Sequence, residues 1–145
     1  MLGLCRECQA MVTITGEYQG DLHCSAVHGP SGTVLTTDAP KDNQGKGESF
    51  SPTDLVATAF GTCIATTMAI VGRRHGVDIG LVRFEVTKDM STDSPRRISK
   101  LKARLWMPPQ SRGVPQGALE AAANACPVHH TLAPGVEKVI ELVWE

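Results

Sequence analysis

Two cysteines lie inside predicted secondary structure and could carry thiol chemistry. Cys63 stands in the middle of an uncharged run, and Cys126 is followed directly by Pro127. Two histidines, His129 and His130, come three and four residues after Cys126. A cysteine just before a proline that starts a helix can occupy the N-cap, where the positive helix end favours a thiolate. Free cysteines also often only pack in a core, so each of the two admits a structural interpretation.

Simple energetics limit how either thiol could become reactive. Lowering the pKa of a thiol from about 8.5 to about 6.5 requires roughly 2.7 kcal/mol. A helix terminus supplies about 0.3–1 kcal/mol, whereas a cation about 4 Å away can supply up to about 4 kcal/mol. A reactive cysteine here therefore needs a cationic or hydrogen-bonding neighbour. Cys63, in the middle of its helix, needs one more than Cys126 does.

A zinc site is an alternative use of the second cysteine. Cys126, His129 and His130 offer sulfur and nitrogen ligands, but the C-x₂-H-H spacing has no matching second half elsewhere in the chain. We therefore expect no metal at this position.

Near the beginning of the chain, Cys5 and Cys8 form a C-x₂-C pair that Cys24 or His23 could complete. One such pair is weak evidence for a metal, and no βαβ pattern follows it to suggest a thioredoxin. We interpret residues 1–10 as a disordered extension and residues 11–145 as a single domain.

The amino-acid composition limits the classes of protein to which this chain can belong. The 145 residues carry a net charge of −1, are 41% apolar and 20% charged, and include five cysteines. This balance gives no argument for nucleic acid or an anionic membrane as a partner. An odd number of cysteines argues against a fully paired secreted framework, so we expect a cytoplasmic protein with free or redox-active thiols.

The segment Ser51–Gly76 predicts a long central helix. Ser51, Pro52 and Asp54 form an N-terminal capping pattern, and Gly76 suits a left-handed exit. Leu55–Val71 contains no charged residue, which is close to the lower length limit of a membrane span. Its threonines and glycine make a buried core helix the better prediction.

Periodicity places strands on both sides of this helix. Alternation predicts three antiparallel strands between Val12 and Thr37, followed by a long loop over 38–49. A hairpin is predicted from Ile79–Met90 and Ile98–Met107, then two helices around Pro115–Ala125 and Pro127–Leu132, and a last strand at Val136–Trp144. The order βββ-α-ββ-αα-β, without βαβ alternation, predicts an α+β fold with antiparallel sheets.

Two motifs together resemble the OsmC/Ohr family of osmotically induced and organic-hydroperoxide-resistance proteins. The first is FSPTDLVATAFGTCIATTM at Phe50–Met68, and the second is ACPVHHTL at Ala125–Leu132. Their cysteines are separated by 63 positions, and the segment ITGEYQGDLHCSAVHGPSG adds to the similarity. The resemblance runs from about Met11 to the end of the sequence.

The resemblance implies an intertwined homodimer with active sites at the subunit interface. It implies that Cys63 is the peroxidatic thiolate, which attacks an organic hydroperoxide and becomes a sulfenic acid. Cys126 would be the resolving thiol that forms a disulfide with Cys63. An external dithiol would then reduce that disulfide, so no bound cofactor is expected.

The sequence departs from the family at the groups that support the peroxidatic cysteine. The best-known peroxidases of the family carry a glutamate ten residues before that cysteine, where this chain has Thr53. They also carry an arginine on the N-terminal strands, and these strands contain none here. The possible replacements are Asp54 or Glu48 for the acid and His23 for the arginine, with His129 as a further supporting residue.

Two functions therefore follow from the sequence. The first is a peroxidase that reduces organic hydroperoxides to alcohols through a Cys63–Cys126 disulfide. The alternative is an OsmC-like dimer without peroxidase activity that binds a small apolar ligand at its subunit interface.

Overall fold

The computed structural model describes residues 11–145, which divide into two compact units. The boundary falls after Pro52, where the long helix begins. The predicted extension, residues 1–10, lies outside the described residues. That residues 11–145 form a single domain stays a prediction.

The first unit is a three-stranded antiparallel sheet made of β1 (Ile14–Gly20), β2 (His23–His28) and β3 (Val34–Asp38). β2 lies in the middle and pairs with both neighbours, so the predicted meander is confirmed. The following loop was predicted from its composition and contains one short 3₁₀ turn at Lys41–Asn43.

This sheet buries no apolar side chain among its described residues. The buried residues of the first unit are polar: Thr37 and Asp38 of β3, and Ser51 directly before α1. Three strands need a hydrophobic face or a packed helix to be stable, and the apolar side chains of this unit are instead exposed. The large exposed ones are Met11, Val12, Ile14, Tyr18, Leu22, Val34, Leu35 and Phe50.

The second unit is built on the helix α1 (Pro52–Arg74) and a second three-stranded sheet. Gly76, just past the helix, has φ +72°, which is the predicted left-handed exit. The remaining elements of this unit are β4 (Arg83–Met90), β5 (Ile98–Met107), a 3₁₀ turn at Pro109–Gly113, α2 (Gln116–Asn124), α3 (Pro127–Thr131) and β6 (Glu137–Trp144).

One face of α1 forms the core of this unit. Phe60, Ile64 and Met68, spaced four residues apart, are each 0% exposed, as expected for one stripe of a helix. Alternate residues of β5 face the same core, and Leu119 of α2 joins it. By length and composition α1 could also cross a membrane, but these buried side chains make it the core helix of this unit.

α1 approaches the sheet closely at Gly61. A Cβ atom there would lie 2.7 Å from Val86 Cγ2 and 2.8 Å from Phe84 Cδ2, closer than side chains normally pack. Glycine therefore allows the helix to lie against β4 two residues before Cys63.

The prediction of purely antiparallel sheets is wrong for one strand pair. β4 pairs with β5 in antiparallel orientation, but β5 pairs with β6 in parallel. The segment between β5 and β6 contains α2 and α3 and carries the chain back to the end of the sheet from which β5 starts. Such a return crossover produces parallel neighbours, and sequence periodicity alone did not reveal it. The α+β class itself is confirmed.

Candidate thiol site

Cys126 occupies the N-cap of α3, as predicted. Its Sγ accepts a hydrogen bond from the backbone N–H of His129 at 3.3 Å, and Pro127 is the first helical residue. The side chain of Cys126 is fully buried. Local sequence explains this position, because Pro127 fixes the start of the helix and leaves the preceding residue to cap it.

Cys63 lies in the middle of α1, half-buried, at the edge of the core. The structure brings it close enough to Cys126 for the Cys63 side chain to influence the ionisation of the Cys126 thiol. Burial, and secondarily this contact with Cys63, raises the pKa of the Cys126 thiol, although the His129 N–H partly opposes the rise. Cys126 therefore holds its proton at neutral pH.

An open groove of about 380 Å³ runs along α1 over Cys63. None of the residues that line it carries a charge, and the side of Cys63 that is not buried faces this space. The lining residues are Ala59, Thr62, Cys63, Thr66, Thr67, Ile70, Pro127 and Val128. The groove suits an apolar molecule, and its lining offers no cation to favour a thiolate.

His129 supports Cys126 through its backbone rather than through its ring. The imidazole stacks on Phe60 with ring centroids 6.2 Å apart. Burial lowers the pKa of His129, so the ring is neutral at neutral pH. Within residues 11–145, Cys126, His129 and His130 do not form a group of three gathered ligand atoms.

Asp54 lies at the other end of the helix from the groove. Nine residues separate it from Cys63, which corresponds to about 13.5 Å along the helix axis. Its Oδ1 accepts a hydrogen bond from Lys88 Nζ at 2.7 Å, and the same Nζ donates to Thr53 Oγ1 at 2.8 Å. Asp54 and Cys63 are therefore not brought together within one chain.

Lys88 is a residue of this region that sequence analysis missed. Its side chain is only 17% exposed although it lies on β4. Lys88 falls in the same alternation phase as Phe84 and Val86, the apolar positions of the strand, and nothing in that pattern linked it to the first turn of α1.

His23 and Glu48, the other proposed supports, meet each other in the first unit. His23 Nε2 lies 3.1 Å from Glu48 Oε2 and 3.6 Å from Asp38 Oδ2. A backbone hydrogen bond to Asp21, followed by that to Glu48, raises the pKa of His23 against the opposing effect of desolvation. Asp38 was not predicted, although an acid at the end of a strand, opposite His23 in the register, is a usable signal.

Asp38 is the buried member of this group. Its Oδ2 accepts a hydrogen bond from the backbone N–H of Glu48 at 2.9 Å, and this bond is the main reason that the pKa of Asp38 is lowered. Among the described residues, its Oδ1 is buried without a hydrogen-bond partner of normal geometry.

Comparison with known proteins identifies the class to which this fold and thiol pair belong. The family model of the OsmC-like proteins matches residues 45–141, which include α1, both cysteines and most of the second unit. The chain therefore belongs to the OsmC-like family. A search of curated proteins finds no match.

Solved structures agree with the family and the fold. A protein of Psychrobacter arcticus 273-4, provisionally assigned to osmotic stress induction and detoxification response, is 38% identical with a TM-score of 0.81. That alignment covers 92% of this chain and 97% of the other.

Two more distant structures are named for hydroperoxide resistance. The organic hydroperoxide resistance protein OsmC of Legionella pneumophila is 14% identical, with a TM-score of 0.69 over 94% of this chain and 99% of that one. The organic hydroperoxide resistance protein OhrB of Bacillus subtilis is 15% identical, with a TM-score of 0.68 over 92% and 98%. At these identities the likeness concerns the fold alone.

Proposed function

We propose that this protein is a cysteine peroxidase that reduces organic hydroperoxides to alcohols. The observation that carries the proposal is the proximity of the Cys63 and Cys126 side chains beside an uncharged groove. A thiol that can react with a peroxide and has a second thiol within reach can form a disulfide before it is oxidised further.

The reaction begins with the Cys63 thiolate and the terminal oxygen of the hydroperoxide. An S–O bond forms while the O–O bond breaks, and the departing alkoxide takes up a proton to become the alcohol. Cys63 is left as a sulfenic acid. Burial and the neighbouring Cys63 raise the pKa of the Cys126 thiol, so Cys126 keeps its proton at neutral pH while Cys63 reacts.

The second half of the reaction restores the thiols. The sulfur of Cys126, after losing its proton, attacks the sulfur of Cys63, and the hydroxyl group leaves as water with a proton. An external dithiol then reduces the resulting disulfide through thiol–disulfide exchange. The net reaction consumes one hydroperoxide and two thiols, and yields one alcohol, one water and one disulfide.

The groove supports the choice of substrate class. Its lining contains methyl groups, threonines and a proline but no charge, so an alkyl or aryl hydroperoxide loses little hydration there while burying apolar surface. We propose a small organic hydroperoxide rather than hydrogen peroxide for this reason.

We also propose that the protein works as a homodimer in the cytoplasm. The first unit has no buried apolar side chain among its described residues, and Ile70 and Phe84 of the second unit are 45% and 40% exposed. A second subunit that covers these surfaces would supply the burial that each unit lacks. Free Cys24, Cys63 and Cys126 suit a reducing compartment.

The decisive experiment removes the proposed nucleophile. Purified protein should consume cumene hydroperoxide when a dithiol is added, and Cys63→Ser should reduce the rate at least about 100-fold. The matched control is Cys24→Ser, which removes an exposed cysteine of β2 and should leave the rate unchanged. Equal turnover by Cys63→Ser and the wild type would disprove the proposal.

The alternative function rests on the same groove. Without an activating charge among its lining residues, the site could bind a small apolar ligand and perform no chemistry. Intact mass after peroxide treatment separates the two functions. Loss of two hydrogen atoms per chain, with Cys63 linked to Cys126, supports the peroxidase, whereas free thiols at both positions support the binding protein.

A further inference from the structure

The first unit contains a group of titratable side chains that includes no cysteine. His23, Asp38 and Glu48 bring three ligand atoms within 4.8 Å of one another, and this is the one such group among residues 11–145. We propose that His23 Nε2, Asp38 and Glu48 bind a divalent transition-metal ion of the zinc type.

The orientation of His23 is the first argument. Its Nδ1 lies 2.7 Å from the backbone carbonyl oxygen of Asp21. A carbonyl oxygen can only accept, so Nδ1 carries a proton and the lone pair of a neutral ring lies on Nε2. A histidine that donates one ring N–H to a carbonyl and presents the other nitrogen is oriented as metal-binding histidines usually are.

The surroundings of Nε2 are the second argument. It faces two carboxylate oxygens, Glu48 Oε2 at 3.1 Å and Asp38 Oδ2 at 3.6 Å. A lone pair pointed at two anionic oxygens requires a positive charge between them. Either a proton on Nε2 or a metal cation supplies that charge.

The distances from His23 Nε2 to the two carboxylate oxygens are the third argument, because they favour a small cation. Zinc binds histidine nitrogen and carboxylate oxygen at about 2.0–2.2 Å, so two ligand atoms of a tetrahedral site lie about 3.4 Å apart. The two distances from Nε2, 3.1 and 3.6 Å, bracket that value. Three protein ligands would leave the fourth position to water.

Burial of Asp38 is an independent argument. Its side chain is 0% exposed, and among the described residues its Oδ1 has no hydrogen-bond partner. A buried carboxylate oxygen without a donor is costly, and a cation held by this carboxyl group would offset that cost. The backbone N–H of Glu48 meanwhile holds Oδ2 in place at 2.9 Å.

The nearby lysine does not already supply the cation. Lys46 Nζ lies 2.7 Å from Asp21 Oδ2, and this ion pair engages its charge. Glu48, with a 60% exposed side chain, lies at the open side of the group and leaves a path by which an ion can enter. One imidazole and two carboxylates suit zinc or manganese better than a soft ion such as Cu(I).

Zinc binding can be measured directly. The full chain should be used with Cys5→Ser and Cys8→Ser, because that cysteine pair could itself bind zinc. After treatment with a chelator and its removal, isothermal titration with zinc chloride should show one ion per chain. His23→Ala should weaken the affinity at least about 10-fold, since it removes the single nitrogen ligand.

Matched variants keep the experiment decisive. His28→Ala removes the histidine at the other end of β2, whose Nδ1 is bound to Ser31, and should leave the affinity unchanged. If His23→Ala does not fold, Glu48→Gln provides the same test at an exposed side chain. Cobalt(II) in place of zinc should give a spectrum without a thiolate charge-transfer band.

Three results would overturn the proposal: no binding, equal affinity in wild type and His23→Ala, or a cobalt–thiolate band. Absence of binding would mean that a proton on His23 supplies the charge and that the group is a structural ion pair. The peroxidase assay does not enter this test, so either proposal can fail without the other.

Discussion

The thiol groove of the second unit and the histidine–carboxylate group of the first unit differ in what each lacks. The groove is lined by Cys63, whose side chain lies close to the buried Cys126, and none of its lining residues is charged. The histidine–carboxylate group contains His23, Asp38 and Glu48 without a sulfur atom. The groove provides an uncharged lining and the sulfur of Cys63, whereas the other group provides charge.

This difference explains why the cysteines alone do not account for a fast peroxidase. Making a thiol substantially ionised at neutral pH takes roughly 2–3 kcal/mol, and one hydrogen bond from a neighbouring thiol contributes about 1 kcal/mol. The lining of the groove therefore supplies no charge that would activate a thiol.

The largest expected effect comes from Cys126→Ser, which separates the peroxidatic role of Cys63 from the resolving role of Cys126. Wild-type protein treated with excess cumene hydroperoxide in the absence of reductant should form the Cys63–Cys126 disulfide. Addition of dithiol should then restore its activity. In Cys126→Ser, Cys63 has no partner and should be oxidised to the sulfinic or sulfonic acid, which dithiols do not reduce. Activity should then be almost completely lost.

Intact mass provides the measurement, as a gain of two or three oxygen atoms on the Cys126→Ser chain. The control is Cys24→Ser, which keeps the thiol pair and should recover like the wild type. Full recovery of Cys126→Ser would show that Cys126 is not the resolving cysteine and would remove the main functional feature of the groove.

A second, smaller effect should come from adding the charge that the groove lacks. Thr66 lines the groove three residues after Cys63 and is exposed, so Thr66→Lys would place an ammonium group near the sulfur. At this exposure we expect about 1–2 kcal/mol in favour of the thiolate. The rate of Cys63 alkylation by iodoacetamide at pH 7 should rise about 10-fold.

Peptide mass spectrometry should follow Cys63 separately from Cys24 in that experiment. Thr92→Lys, in the exposed turn between β4 and β5, adds the same charge elsewhere and should leave the rate unchanged. Equal alkylation rates of Cys63 in the wild type and Thr66→Lys would mean that Cys63 is already fully ionised. The thiol groove and the histidine–carboxylate group would then differ less in charge than the lining of the groove indicates.

Local signals in the sequence were sufficient for the elements and for one half of the site. Pro127 after Cys126 predicted the N-cap, and the structure confirms it with the hydrogen bond from His129. Alternation predicted β5 as Ile98–Met107, the observed bounds. Both are short-range properties, since a cap or a strand face is decided by neighbours a few residues away.

Features that depend on distant residues were not predictable in the same way. The parallel pairing of β5 with β6 depends on how the chain returns through α2 and α3. Lys88 reaches the first turn of α1 across 34 positions, and Asp38 meets His23 across a strand pair. The fold brings these positions together over long sequence separations, and the alternation of a single strand does not say which partners will meet.

The smallest expected effect concerns the proton on Cys126. Burial and the contact with Cys63 raise the pKa of this thiol in the folded protein, whereas an unfolded cysteine titrates near about 8.5. Between these two values the folded state holds a proton that the unfolded state has lost, so stability falls as pH rises. The stability that the folded protein gains from the raised pKa of Cys126 is fully present below about pH 8.5 and is lost as the pH rises above it.

Urea unfolding between pH 7.5 and pH 10, under reducing conditions, measures this contribution. Cys126→Ala should be less stable than the wild type at every pH because it leaves a small cavity, but its stability should decline less steeply above pH 8.5. Cys24→Ala removes an exposed thiol and should keep the wild-type slope. Parallel curves for wild type and Cys126→Ala would show that Cys126 ionises as freely in the folded protein as in the unfolded chain. Burial would then not hold the proton on Cys126 above about pH 8.5.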